Sequence, residues 1–139
     1  MRAAIYLRSA VPNRQGFERQ RNRCESFAQD RGFDLSRVYT DCGVSRYGLR
    51  QLAIDVTARQ FDAVIVADLS RFGRNFTDFT EATAALSKIG CTIYDASTGT
   101  RFDLNDPVDR FTLGAFRVIT EREEPRIEHV TKARRALTR

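Results

Sequence analysis

Short apolar runs alternate along this chain with longer segments in which apolar residues recur every three or four positions. The apolar runs predict buried strands at residues 3–7, 35–40, 63–67 and 91–94. The helical spacing predicts helices at residues 16–31, 49–59 and 76–89. Strands that alternate with helices indicate an α/β fold, so we expect three layers: a mainly parallel sheet of four or five strands with helices on both faces.

Residues that favour helix ends flank two of these predicted helices. Asn75 is a predicted N-cap, and Asp78 follows it at the capping-box position. Gly32 and Gly90 are predicted to end the first and third helices, because glycine tolerates the left-handed backbone that often follows a helix. Residues 97–105 are mostly polar and are predicted to form a loop.

A long C-terminal helix is predicted after that loop, with Asp106 as N-cap and Pro107 as its first residue. It could extend to residue 137, over about 30 residues and about 45 Å. Its second half is rich in charged residues and contains Pro125, which costs a helix about 3 kcal/mol. We therefore expect a domain core at residues 1–105 and an oligomerisation arm at 106–139, broken at Pro125. The alternative that stays open is a helix that ends near Glu123, followed by a tail.

Composition fits a single globular domain of 139 residues, with 42% hydrophobic and 29% charged residues. No apolar run approaches membrane-spanning length and no signal-peptide pattern opens the chain, so a cytoplasmic location is expected. The formal charge of +5 favours a polyanionic partner. A metal site is not expected, because the chain has one histidine and no paired cysteines; the thiols of Cys24, Cys42 and Cys91 are expected to be reduced and buried.

Arginines occupy the positions where predicted strands end. Arg8 follows the first strand, and Arg71 and Arg74 follow the third, just before the Asn75 cap. Codon bias explains a preference for arginine over lysine, since only two of the 23 basic residues are lysine, but it does not explain this placement. Because guanidinium groups match phosphate oxygens two at a time, these strand ends predict a phosphate site at the carboxyl edge of the sheet.

Four ordered motifs in the chain resemble the catalytic domain of the serine site-specific recombinases, which include resolvases, invertases and large serine integrases. These motifs are AIYLR at residues 4–8, FERQ at 17–20, RYGL at 46–49 and LSRFGRN at 69–75. The resemblance covers nearly the whole chain. Each motif alone is weak, and their order and separations make the set specific.

The resemblance implies a DNA strand exchanger that needs no metal and no cofactor. A serine hydroxyl attacks a backbone phosphate and forms a 5′-phosphoserine, while arginines neutralise the charge that develops. The implied partners are double-stranded DNA and further copies of the chain, as a dimer and as a synaptic tetramer; no membrane and no small-molecule substrate are implied. The positions that match the family motifs are Arg8, Arg71 and Arg74 as phosphate ligands, Arg46 as a supporting residue and Gln20 as a positioning residue. Ser9 is the candidate nucleophile.

The chain departs from the family pattern at the nucleophile. The pattern places serine two residues after the arginine, where this chain has Ala10, and Ser9 lies one residue too early. Because neighbouring residues of a strand point to opposite faces, Ser9 is expected to face away from Arg8 unless the strand ends at Arg8. Activity through Ser9, an engineered replacement of serine at position 10 and a naturally inactive domain all remain open.

Two other functional interpretations follow from the sequence. A catalytically inactive recombinase-like domain would serve assembly or regulation, and its impaired last helix at Pro125 favours that reading. A flavodoxin-like nucleotide-binding module is disfavoured, because no glycine-rich loop follows the first strand. The DNA-binding domain that follows the long helix in the family is not expected within these residues, so sequence-specific DNA recognition is expected to be weak.

Overall fold

The structure is a computed structural model that describes residues 1–73, 75–103 and 106–109. Within these residues the helices are α1 (Arg14–Arg31), α2 (Tyr47–Thr57) and α3 (Phe76–Lys88), and a short 3₁₀ helix covers Leu69–Phe72. The strands are β1 (Arg2–Ser9), β2 (Asp34–Cys42), β3 (Ala63–Val66), β4 (Thr92–Asp95) and β5 (Thr100–Phe102).

These strands form one sheet in the order β2-β1-β3-β4-β5. The first four strands are parallel, and β5 pairs with β4 in the antiparallel direction. The predicted α/β fold with a mainly parallel sheet is therefore confirmed. Because the parallel strands all end at the same edge, the segments that follow β1, β2 and β3 meet there.

The sheet separates two layers of core. On one face, Ala4 and Tyr6 of β1 pack with residues of α2, α3 and the 3₁₀ helix. On the other face, Ile5 and Leu7 pack with residues of α1. β3 lies between these layers and is completely buried, which explains why its sequence is an unbroken apolar run.

The predicted helix ends are confirmed where the structure describes them. Gly32 has a left-handed backbone at φ 72° and ends α1. The Asn75 side chain accepts a hydrogen bond from the Asp78 backbone N–H at 2.9 Å. Asp106 likewise accepts from the Val108 N–H at 2.8 Å, and residues 107–109 begin a helix. The rest of the predicted last helix, including Pro125, lies outside the described residues.

The prediction of a continuous loop at residues 97–105 was wrong, because β5 lies inside it. The chain turns back at Gly99, which has φ 69°, and returns along β4. Phe102 anchors the returning strand, since it is 2% exposed and its ring centroid lies 5.6 Å from that of Phe79. A three-residue strand with one buried apolar side chain shows no periodicity that a sequence pattern can reveal.

The first two strands also run further than their apolar residues indicated. β1 continues through Ser9 and pairs there with Cys42 of β2. Cys42 is half-buried, whereas Cys24 and Cys91 are buried as expected, and all three are free thiols. Burial raises the pKa of Cys24 and of Cys91 to about 12, so both thiols stay protonated at neutral pH.

A buried carboxylate joins the end of β2 to the start of α2. Asp41 is 2% exposed and accepts hydrogen bonds from the backbone N–H groups of Gly48 at 2.7 Å and Leu49 at 2.9 Å. It also accepts from the Tyr6 hydroxyl at 2.8 Å. Asp41 thus caps α2 from outside the helix, and its negative charge lies at the positive end of the helix dipole.

Replacement of this carboxylate should destabilise the domain. Asp41→Ala leaves the Tyr6 hydroxyl and two helix N–H groups without their acceptor, so we expect the free energy of unfolding to fall by about 2–4 kcal/mol. Urea denaturation measures the change. The control is Asp30→Ala on the exposed surface of α1, which should stay within about 0.5 kcal/mol of wild type. Equal stability of the two variants would contradict the capping role.

Candidate functional site

Asp68 stabilises the turn between β3 and the 3₁₀ helix. Asp68 accepts hydrogen bonds from the Ser70 backbone N–H at 3.0 Å and from the Ser70 hydroxyl. Its other carboxylate oxygen lies 3.5 Å from Nε of Arg71. The 3₁₀ helix that follows is therefore anchored at its first turn, and this anchoring directs Arg71 towards the end of β1.

The side chains of Gln20 and Arg71 form hydrogen bonds with the backbone of Arg8 at the carboxyl edge of the sheet. The Gln20 side-chain amide donates to the Arg8 carbonyl at 2.9 Å, and its oxygen accepts from the Arg8 N–H at 3.2 Å. Nη1 of Arg71 donates to the same carbonyl at 3.3 Å. Pairing between β1 and β3 covers residues 3–5, so Gln20 replaces the ladder hydrogen bonds that β3 no longer supplies.

Ser9 is the last residue of β1 and shares its face with Leu7, on the side of the sheet that α1 covers. It lines a cavity of about 170 Å³ between α1 and the 3₁₀ helix. We call this cavity the arginine cavity. Its lining residues are Ser9, Asn13, Gly16, Arg19, Gln20, Arg23, Ala67 and Arg71.

All the charged residues that line the arginine cavity are positive. Three arginines, Arg19, Arg23 and Arg71, contribute to it, and no carboxylate does. Asp68 reaches Arg71 but is not part of the lining. A cavity lined by one serine, two side-chain amide residues and three arginines is suited to a phosphate-like anion, since guanidinium donors match its oxygens two at a time.

The side chains of Arg8 and Arg46 lie outside this lining. Arg8 is on the same strand face as Tyr6, and its guanidinium donates to the Gly43 carbonyl at 2.9 Å. Arg46 donates to the Phe72 carbonyl at 2.9 Å and lies 3.2 Å from the Asp78 carboxylate. In the described structure, both arginines therefore hold loops of the sheet edge together.

The six residues singled out from sequence thus divide into three groups. Ser9, Gln20 and Arg71 meet at the arginine cavity. Arg8 and Arg46 hold the other side of the same edge, and the backbone of Arg8 is bonded to Gln20 and Arg71 of the first group. Arg74 lies outside the described residues.

Sequence reasoning missed Arg19 and Arg23 as members of the site. Both are on α1, one helical turn apart, and beside Gln20. The spacing of Gly16, Gln20 and Arg23 gave a signal, because these positions fall on one side of a helix that begins near the end of β1. That signal becomes meaningful only once the helix is known to cross the carboxyl edge.

Tyr6 is a third residue that sequence reasoning did not place at the edge. Its buried hydroxyl donates to Asp41, and its ring stacks on Phe72 with centroids 5.8 Å apart. Burial first, and then the neighbouring carboxylate, raise the pKa of Tyr6 well above its usual range. Tyr6 thus stays a neutral hydrogen-bond donor and supports the 3₁₀ helix from below.

Among the described residues, no group of three or more His, Cys, Asp or Glu side chains is arranged to hold a metal ion. None of the helices in that part of the chain is long and apolar enough to span a membrane.

The fold and this edge define the class of protein: an α/β domain that presents a hydroxyl and guanidinium groups at the carboxyl ends of its strands. The sequence model of the family described as "Resolvase, N terminal domain" matches residues 3–139. The chain therefore belongs to the resolvase family, the catalytic-domain family of the serine recombinases.

Solved structures of this family have the same fold. A resolvase family site-specific recombinase from Streptococcus pneumoniae is 22% identical with a TM-score of 0.73, over 88% of each chain. The N-terminal catalytic domain of TP901-1 integrase is 22% identical with a TM-score of 0.69, over 86% of this chain and 93% of that one. The C-terminal catalytic domain of ISC1926 TnpA, an IS607-like serine recombinase, is 22% identical with a TM-score of 0.60 over both whole chains. No curated protein sequence matches this chain significantly.

The role of Gln20 can be tested through stability. Gln20→Ala removes both partners that this side chain gives the Arg8 peptide, so the free energy of unfolding should fall by about 2–3 kcal/mol. Thermal and urea denaturation measure the loss. Gln29→Ala, an exposed position on the same helix, is the control and should change stability by less than about 0.5 kcal/mol. A Gln20 variant as stable as this control would show that the clamp on Arg8 is not needed.

Proposed function

We propose that this domain cleaves and rejoins double-stranded DNA by phosphoryl transfer, with Ser9 as the nucleophile. The observation that carries the proposal is that Ser9 and Arg71 line one cavity that has three arginines and no carboxylate on its walls. Membership of the resolvase family supports the reaction class. The partner is DNA, met in the cytoplasm, and the acting form is a homo-oligomer.

The chemistry requires one bond to form as another breaks. The Ser9 Oγ–phosphorus bond forms while the bond from phosphorus to the 3′ oxygen of the DNA breaks. The serine hydroxyl loses its proton and the departing 3′ oxygen takes one up, which leaves a 5′-phosphoserine and a free 3′-hydroxyl. Attack of a 3′-hydroxyl on the phosphoserine reverses the step, so the phosphodiester energy is kept and no nucleotide is consumed.

Arg71 supplies the main electrostatic contribution in this proposal. The pentacovalent transition state carries more negative charge on its equatorial oxygens than the ground state, and a fixed guanidinium stabilises that difference. An ion pair with Asp68 fixes the position of Arg71, and the hydrogen bond from Gln20 fixes the Arg8 carbonyl next to Ser9. Arg74 is proposed as a second phosphate ligand because its position matches the family motif. Arg8 and Arg46 are proposed to support the site from the other side of the edge.

The position at which β1 ends favours Ser9, rather than residue 10, as the site of the nucleophile. Ser9 is in register with Cys42 and is half-buried, and its alternation with Arg8 points it towards α1. Ala10 follows the strand and is exposed. The rival proposal, an inactive domain that serves assembly, is favoured by the methyl group of Ala10 at the position where the family pattern has its serine.

A covalent adduct assay separates these proposals. Supercoiled plasmid that carries the DNA flanking this gene is incubated with the protein, and protein–DNA adduct is quantified after denaturation. We expect wild type and Ser70→Ala to form adduct and Ser9→Ala to form none, with the phosphate mapped to Ser9 by mass spectrometry. Adduct from Ala10→Ser but none from wild type would instead establish the inactive domain.

Arg71 provides a second test of the same chemistry. Arg71→Ala should lower adduct formation by about 10²–10³-fold, the usual cost of losing one preorganised transition-state donor. Its stability should change by no more than about 1 kcal/mol, because the ion pair with Asp68 is partly exposed. Arg71→Lys keeps the charge but loses the fork of donors, and should recover only part of the activity. An unfolded Arg71→Ala domain would mean that Arg71 is structural.

A further inference from the structure

The charged side chains between residues 14 and 25 of α1 fall into two groups. Arg14 pairs with Glu18 at 3.4 Å, and Arg21 pairs with Glu25 at 2.7 Å. These four residues form one stripe along the helix, at spacings of three and four. Both glutamates of α1 are thus engaged by arginines of the same stripe.

Arg19 and Arg23 form the second group. They are four residues apart, so their side chains leave the same face of α1, roughly 140° around the axis from the paired stripe. Both are exposed, and within the described residues neither makes an ion pair. Two positive charges one helical turn apart, without a carboxylate between them, repel each other unless an anion lies near.

The position of this pair suggests what that anion is. Arg19 and Arg23 line the arginine cavity together with Ser9 and Arg71. Arg71 reaches the cavity from the 3₁₀ helix, whereas Arg19 and Arg23 reach it from α1, on the other side. An extended chain of phosphates that passes Ser9 therefore meets guanidinium groups from two separate elements.

We propose that Arg19 and Arg23 bind the DNA backbone phosphate next to the one at Ser9, and so position the strand for attack. This inference rests on the proposed function for the identity of the strand, but its binding step does not require cleavage. Arg71 takes the phosphate that reacts, and the α1 pair takes its neighbour. They are positioning residues, since they touch the strand and not the reacting atoms.

The chain supplies a matched control for this proposal. The double variant Arg19→Gln/Arg23→Gln removes two positive charges from the face at the cavity. The double variant Arg14→Gln/Arg21→Gln removes two positive charges from the same helix on its other side. The two variants have the same net charge, so a difference in DNA binding between them reports contact and not long-range attraction.

Binding is measured by fluorescence anisotropy of a short labelled DNA duplex of mixed sequence, over a series of salt concentrations. For Arg19→Gln/Arg23→Gln we expect the affinity to fall by about tenfold or more, and the slope of log K against log salt to become shallower by about 1–2, as expected when one or two phosphate contacts are lost. Arg14→Gln/Arg21→Gln should keep the wild-type slope. Thermal unfolding of both variants should stay close to wild type, because all four side chains are exposed and the two ion pairs that Arg14→Gln/Arg21→Gln removes are surface pairs that contribute little stability.

Equal losses in the two double variants, or no loss in either, would overturn the proposal. Adduct formation is measured on the same proteins alongside the titration, which separates chemistry from binding. If Arg19→Gln/Arg23→Gln loses its contacts while wild type never forms adduct, the α1 phosphate site stands and the cleavage proposal fails. If wild type forms adduct and this double variant binds and cleaves equally well, the α1 site fails and the cleavage proposal stands.

Discussion

The hydrogen bonds that Gln20 makes with the Arg8 peptide determine the geometry of the whole sheet edge. β1 extends beyond its pairing with β3, and its last residues still pair with β2. The Arg8 N–H and carbonyl point away from β2, so burial without a partner would cost free energy for each group. Gln20 satisfies both, and Arg71 adds a second donor to the carbonyl. One side chain thereby fixes β1 to α1 at the residue before Ser9.

The same edge uses arginine for two different purposes. On the face that α2 and α3 cover, Arg8 and Arg46 bind backbone carbonyls and a carboxylate, and so join the segments that follow β1, β2 and β3. On the α1 face, Arg71 is held by Asp68 but still lines an open cavity. The guanidinium groups of Arg8 and Arg46 are bound to protein acceptors and so support the site, whereas that of Arg71 lies at the cavity, where it can also bind a ligand. The alternation of side chains along β1 separates these two roles.

Much of the fold could be predicted from sequence because its signals are local. The buried strand β3 is a continuous apolar run. Asn75 caps the start of α3 and Gly32 ends α1, both through contacts within a few residues. β5 could not be predicted, because the one buried side chain that holds it, Phe102, gains its stability from Phe79 in a distant helix. Local pattern contains no information about such a contact.

The site was harder to predict than the fold for a related reason. The strand-end arginines were found because parallel strands bring their ends together, and Arg71 is indeed at the cavity. The direction of each guanidinium depends on partners from other elements, such as Gly43 for Arg8 and Asp78 for Arg46. Arg19 and Arg23 were missed because the sequence does not show which part of the sheet α1 crosses. Until that crossing is known, the neighbours of a side chain on the helix cannot be predicted. The family resemblance identified which residues belong to the site. The three-dimensional contacts show which of them lie on the α1 face of the sheet and which lie on the opposite face.

The most direct test of this account is a crystal structure of the domain soaked with orthovanadate, which adopts the five-coordinate geometry of phosphoryl transfer. We expect vanadium bonded to Ser9 Oγ, with Arg71 donating to its equatorial oxygens. Vanadate bound instead beside Arg8 and Arg46, on the other face of the sheet, would contradict the account, because the reacting phosphate would then lie where Ser9 does not point.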